Sequence, residues 1–220
     1  MNVISNFNKH VIVASLIVLI SFVSSTTLYA QIPVSVMVGE KQTQHEFFFF
    51  KSFDKKQKVN IFTMGQFNVD HQQAAFNTSS INTQISYNLT PIFGISAGAS
   101  MANQELRPLV AVSLAYANQK GDLLINLFPG MVIKDQPEYE LMGLILYQPK
   151  ISKNFNLIFQ AFVGSTYNKK IDQHLFSFNQ VKLGVGYKDW FQVGVGMNQN
   201  FLGDDFQKFD NFGIFLRKQF

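Results

Sequence analysis

Few side chains in this sequence are placed to make or break bonds. There is no cysteine, which excludes a thiol nucleophile, a disulfide scaffold and any Cys-ligated metal. Beyond residue 30 the histidines are His45, His71 and His174, with no His-x-x-x-His pair. The one acidic doublet of note, Asp204-Asp205, falls short of the 6–8 oxygens that calcium takes. Neither a metal nor a cofactor is expected. A hydrolytic dyad needs a nucleophile and a base in contact, so His174 and Ser165 matter only if they point the same way. The run GVGYKDWFQVGVG (Gly184 to Gly196) invites a phosphate-loop reading. Such loops sit at a strand-to-helix turn, and no helical pattern follows here.

Composition narrows the classes further. The 220 residues are 47% hydrophobic and 15% aromatic, with 24 Phe, yet only 15% charged, against about 25% in ordinary soluble domains. A disordered chain would be poor in aromatics and richer in net charge. The basic residues are single or paired and the net charge is +4, so no nucleic-acid partner is expected. Lys9 and His10 precede a 13-residue apolar run, Val11 to Val23, then a polar stretch and Leu28-Tyr29-Ala30. This is the layout of a cleavable secretory signal over 1–30, too short for a comfortable membrane-spanning helix. Residues 31–220 remain as one domain.

The elements that position everything else are strands. Period-two alternation recurs along the chain: Val59, Ile61, Phe67 and Val69 against Asn60, Gln66, Asn68 and Asp70, then Phe155, Leu157, Phe159, Ala161 and Val163 against Asn156 and Gln160. It returns as Val181, Leu183, Val185 and Tyr187 against Gln180, Lys182, Gly184 and Gly186, and as Phe191, Val193 and Val195 against Gln192, Gly194 and Gly196. Such alternation marks half-buried strands. The polar faces carry Asn, Gln, Ser, Thr and Gly rather than charge, which suits a crowded lumen better than open water. The apolar faces end in tyrosines (Tyr87, Tyr116, Tyr139, Tyr147, Tyr167, Tyr187), as the aromatic girdles of a membrane barrel do. The strands also exceed the soluble mode of about 5–6 residues.

The prediction is an all-β, antiparallel, meander transmembrane barrel. Turn signals place strands near 32–39, 44–54, 58–70, 80–89, 93–103, 106–118, 121–134, 138–150, 153–168, 174–188, 190–202 and 208–220. That makes twelve, an even count, with ten as the rival because HEFFFF (His45 to Phe50) gives no clean phase. Even parity puts both termini on the periplasmic side and the longer loops outside, in contact with outer-membrane lipid along the wall. Arg107, Glu140, Lys182 and Arg217 point into the lumen, with Asp70 near its outer mouth. Met142, Leu144 and Leu146 also point inward, which predicts partial filling. His174 shares parity with Gln180 and Lys182 and is expected inward, away from the outward Ser165, which argues against a dyad. The inward glycines Gly184, Gly186, Gly194 and Gly196 read as wall positions where a narrow barrel closes or bends.

The last strand carries a resemblance. FGIFLRKQF, with Phe212, Ile214, Leu216 and the terminal Phe220 on one face, resembles the C-terminal signal strand of Gram-negative outer-membrane proteins. Together with NLTPIFGISAGAS (Asn88 to Ser100), the mature chain resembles small outer-membrane β-barrel proteins. That resemblance implies export to the outer membrane and recognition by the barrel-assembly machinery, and it names no activity. The reading drawn from the residues is a non-enzymatic barrel with a structural or binding role in the cell envelope, serving an unidentified envelope partner. The alternative is a narrow passive channel for small solutes, anionic ones favoured by the surplus of inward cations. An envelope lipid hydrolase comes a distant third.

Overall fold

The computed structural model describes residues 32–102, 105–188 and 191–219. The predicted signal segment, the connections through Asn103-Gln104 and Asp189-Trp190, and the terminal Phe220 lie outside the described residues. Twelve strands follow in chain order: β1 (Pro33–Gly39), β2 (Gln42–Ser52), β3 (Val59–Asp70), β4 (Thr78–Asn88), β5 (Phe93–Ala102), β6 (Glu105–Ala117), β7 (Leu123–Val132), β8 (Glu138–Tyr147), β9 (Phe155–Asn168), β10 (Gln173–Tyr187), β11 (Phe191–Leu202) and β12 (Gln207–Gln219). Each pairs antiparallel with its neighbours in sequence, and β1 pairs with β12 to close the barrel. The count is twelve, not ten. Among the described residues the only helical piece is a 3-10 turn at Ala74–Phe76.

Closure removes the open edges that a sheet would otherwise present, and it sorts side chains by parity. Along β9, Asn156, Ile158, Gln160 and Phe162 are buried in the lumen while Leu157 and Val163 face out. On the neighbouring wall Leu183, Val195 and Ile214 are 50%, 58% and 64% exposed, a continuous apolar surface of the kind that a bilayer covers. On β10–β12 that band has an upper border, while on β8 it continues through Leu141 opposite Ser165. Val163 pairs with Asn179, Asn179 with Gln199 and Gln199 with Asp210, so one row above Val181, Met197 and Phe212 the outer face turns polar. "Upper" here means the end carrying the connections 71–77, 133–137, 169–172 and 203–206.

The lumen is filled from two chemically different sides. Phe48, Phe62, Met64, Phe128, Leu144 and Phe162 form a buried apolar cluster, with Met142, Leu146 and Phe178 packed against it. Phe62 and Phe128 stack at 5.4 Å, and Phe162 meets Phe178 at 4.7 Å; such ring pairs add about 0.5–1.5 kcal/mol each beyond their burial. This cluster explains the missing phase of HEFFFF. Phe48 belongs to the lumen whereas Phe47 and Phe49 belong to the wall, so both faces of β2 are apolar there. Buried Ser, Asn and Gln line β1, β2 and β9–β12 on the other side, and Asn60, Gln84, Ser96, Ser113 and Asn126 add polar groups around the rings on β3–β7. Gly184 and Gly194 face each other across β10 and β11, and a methyl on Gly194 would lie 2.0 Å from the Leu183 carbonyl oxygen. Only glycine lets the wall come that close there.

Two irregularities interrupt the ladder. Between β6 and β7 pairing lapses from Ala111/Gly130 to Leu114/Leu127, where Pro129 has no N–H to donate. Between β9 and β10 the register shifts at His174/Phe176: His174 pairs with Tyr167, Phe176 with Thr166, and Leu175 is the extra residue of a bulge. The bulge reverses parity above it. His174 therefore stands on the outward face with Tyr167, Ser165 and Ser177, and the inward orientation predicted from Gln180 and Lys182 is corrected.

Candidate functional site

The waist of the lumen is organised by one carboxylate. Strand alternation carries Ser35 (β1), Glu46 (β2), Gln160 (β9), Lys182 (β10), Gln192 (β11) and Arg217 (β12) to the same level inside the barrel. Lys182 Nζ lies 3.1 Å and Arg217 Nη2 3.4 Å from the same Glu46 oxygen. Gln160 donates to that oxygen at 3.1 Å and Ser35 at 3.4 Å. Lys182 also donates to Ser35 Oγ at 3.2 Å, and Arg217 donates to Gln192 Oε1 at 3.3 Å and to Gln160 Oε1. Below and beside these groups the Arg217 guanidinium lies 5.6 Å from the Phe48 ring centre and 5.7 Å from that of Phe215, within cation–π range. Next to the trio Gln180 donates to Gln44 at 2.8 Å.

Every member is removed from solvent: Lys182 is 0% and Arg217 1% exposed. Two cations against one carboxylate leave a surplus positive charge in a low-dielectric interior. Such a surplus persists only if hydrogen bonds and π faces compensate the lost hydration. Glu46 Oε2, Arg217 Nε, Gln44 Nε2, Gln180 Oε1 and Gln192 Nε2 have no hydrogen-bond partner among the described residues. Towards the lower end a cavity of ≈ 20 Å³ is bounded by Asn60, Phe62, Gln84, Ser86, Ser113, Asn126 and Phe128. That is room for about one water.

A second cluster occupies the upper mouth and balances its charges, two cations against two carboxylates. Arg107 Nη2 lies 2.6 Å from Glu138 Oε2 and 2.7 Å from Glu140 Oε1, and Lys134 pairs with the other Glu138 oxygen. Arg107, Glu140 and Lys134 keep 16%, 20% and 34% of their side-chain surface, while Glu138 between them is buried at 7%.

The predicted lumen residues thus divide. Lys182 and Arg217 meet at the waist, and Arg107 and Glu140 meet at the mouth. Asp70 joins neither: its carboxylate accepts the backbone amides of Gln72 and Gln73 at 2.9 and 2.8 Å and holds the loop that follows β3. Glu46 was missed because its strand had no readable phase, although it shares parity with Gln44. Glu138 was legible as the inward neighbour of Glu140, two residues on, and was passed over. Of the assembly-signal residues, Phe212, Ile214 and Leu216 face outward on β12, 52%, 64% and 48% exposed. Among the described residues no cluster of three metal-ligating side chains occurs. His174 and Ser165, expected on opposite faces, share the outer wall, with Ser177 between them: Ser177 Oγ is 2.7 Å from His174 Nε2 and 2.9 Å from Ser165 Oγ.

No protein-family model matches the sequence, and no curated protein does. Solved structures do resemble the barrel. The NanC porin aligns over 87% of this chain and 100% of its own, at 13% identity and a TM-score of 0.51. The KdgM porin aligns over 86% and 99%, at 14% identity and a TM-score of 0.48. At such identity the likeness to NanC is one of fold: this chain has the twelve-stranded, porin-like barrel architecture of outer-membrane proteins.

Proposed function

We propose that the chain is exported to an outer membrane and serves there as a narrow channel for small anionic solutes. The observation that carries this reading is the waist, where Lys182 and Arg217 share one carboxylate and leave a net positive charge on a polar track. Rings of fixed charge set ion preference by sign. The Ser, Asn and Gln side chains above and below the waist supply neutral hydrogen-bonding stations along one side of the lumen. Because the waist side chains are packed against each other, passage requires the amides and the guanidinium to swing aside, and unitary conductance is small.

A sealed structural barrel is the second reading, and the phenylalanine cluster favours it, since it closes the other half of the cross-section. Planar-bilayer recording of the purified protein under a KCl gradient separates the two. The channel reading expects small unitary steps with a reversal potential displaced towards that of chloride, and a further displacement in Glu46→Gln if that variant folds. Silent bilayers after verified insertion, or cation preference, would overturn it. Export to the outer membrane is tested separately by heat-modifiable migration and by fractionation, and recovery in the soluble periplasmic fraction would sink it.

A further inference from the structure

We propose that His174 and Ser177 form an esterolytic pair on the outer wall of the barrel, acting on acyl esters of membrane lipids at headgroup depth. The bulge at Leu175 is what makes the pair. Without it His174 would point into the lumen; with it, His174 and Ser177 lie on one face, three residues apart, and Ser177 sits directly opposite Ser165. His174 Nε2 is 2.7 Å from Ser177 Oγ, and His174 Nδ1 is 2.8 Å from the Gly203 carbonyl oxygen. A carbonyl only accepts, so Nδ1 carries the proton and donates it to Gly203. The neutral ring then offers Nε2 as the acceptor of the Ser177 hydroxyl proton. Nucleophile, base and a third group that sets the tautomer of the base are the parts that nucleophilic catalysis requires.

The surroundings hold that arrangement in place. Asp204 Oδ1 accepts the backbone N–H of His174 at 2.8 Å, which pins the bulge to the β11–β12 turn. The Phe206 ring stacks on the imidazole with 4.3 Å between centres and 19° between planes. Two non-glycine residues in the left-handed region flank the pair, Asp172 at φ 53° and Phe206 at φ 50°; bulky residues rarely adopt that region. Bulges of this sort re-aim side chains beside active sites.

Position selects the substrate class. On β10–β12 the apolar band ends at Val181, Met197 and Phe212, and Ser177 stands one step above the polar row of Asn179, Gln199 and Asp210, with Leu141 opposite Ser165 and Phe201 opposite Ser177 keeping apolar groups at its level. An ester bond lies at that depth when its acyl chain occupies the band below. The Ser165 hydroxyl, 2.9 Å from Ser177 Oγ, is placed to donate to charge developing on the carbonyl oxygen.

The reaction balances with water alone. Ser177 Oγ adds to the ester carbonyl while its proton passes to Nε2. The adduct expels the alcohol, which takes that proton, and leaves an acyl–Ser177 ester. Water then attacks the acyl group, giving a proton to Nε2, and collapse returns that proton to Ser177 as the fatty acid leaves.

The test uses the full protein purified in detergent and reconstituted in phosphatidylethanolamine–phosphatidylglycerol vesicles. A fluorophosphonate probe should mark Ser177, read by mass spectrometry, and spare the exposed turn residue Ser152. In His174→Asn the labelling rate should fall by at least about 100-fold, the low end for loss of a general base, while heat-modifiable migration verifies that the variant barrel is folded. p-Nitrophenyl palmitate embedded in the vesicles should be cleaved faster than water-soluble p-nitrophenyl acetate, and Ser177→Ala should cleave neither above background. An unlabelled Ser177 in the folded protein, or labelling unchanged in His174→Asn, overturns the pair. Preference for the acetate overturns the lipid assignment.

Discussion

The two charge clusters inside the barrel differ in balance. At the waist one carboxylate, Glu46, sits between two cations; at the mouth Arg107 sits between two carboxylates and Lys134 brings a second cation, so the charges cancel. The mouth contacts are the shorter, 2.6 and 2.7 Å against 3.1 and 3.4 Å at the waist, so distance alone would rank the mouth first. Desolvation reverses that order. The waist groups are 0–1% exposed while Arg107 and Glu140 keep 16% and 20% of their surface. At the waist the shared ion is indispensable because nothing else neutralises its partners. At the mouth water and Lys134 take part of the load.

The largest effect should follow Glu46→Gln. It leaves Lys182 and Arg217 buried together without a counter-charge, and breaking a buried ion set by removing the shared partner costs about 3–5 kcal/mol. Urea titration of the reconstituted barrel reads it. Lys182→Met sharpens the comparison, because Glu46 and Arg217 then remain as a neutral pair; its cost should be the smaller by a clear margin. A reversed order would mean that surplus charge does not govern the waist.

Arg107→Met should come next, at about 1–3 kcal/mol, since Glu138 and Glu140 are left facing each other with only partial hydration. Its penalty should shrink in high salt, whereas that of Glu46→Gln should not, because exposed charges are screened and buried ones far less so. Equal salt responses would erase the distinction between waist and mouth.

The smallest effect belongs to a carboxylate in neither cluster. Asp54, in the turn between β2 and β3, accepts the amides of Val59 at 2.8 Å and Lys56 at 3.2 Å. The Val59 amide above all holds its pKa below the usual carboxylate range. A depressed folded-state pKa contributes stability above the unfolded-state value and loses it as pH falls through the folded one. The stability of the folded barrel should therefore decline slightly more steeply with acid in the wild type than in Asp54→Asn, a difference read by urea midpoints across an acid series.

The strands were legible because membrane and lumen impose opposite chemistry on alternate residues, and all twelve appear within a few residues of their expected bounds. Legibility failed where one face lost its contrast. On β2 the lumen itself is apolar at Phe48, so Glu46 could not be assigned a side. At His174 parity counted from Lys182 carried through Phe176 and then broke at Leu175, whose type gives no sign of a bulge. Asp70 keeps the parity of the lumen-side row, where Gln42 Nε2 donates to one of its oxygens at 3.4 Å, while the other holds the loop amides of Gln72 and Gln73. Alternation reports which face a regular strand presents, and a bulge resets it.

The pairing of β1 with β12 also sets a clock. Pro33 meets Gln219, so the contact that completes the wall joins the first and last strands of the barrel and cannot form until β12 has been made. Until then ten inner strands can zip to their neighbours while two hydrogen-bonding edges stay open. β1, with 7 residues, is a short template for the last step. Long-range closure of this kind is slow and leaves aggregation-prone edges exposed in the interval. The two open edges must therefore be kept from other pairings until β12 arrives, and the rate of that final meeting sets how long they stay exposed.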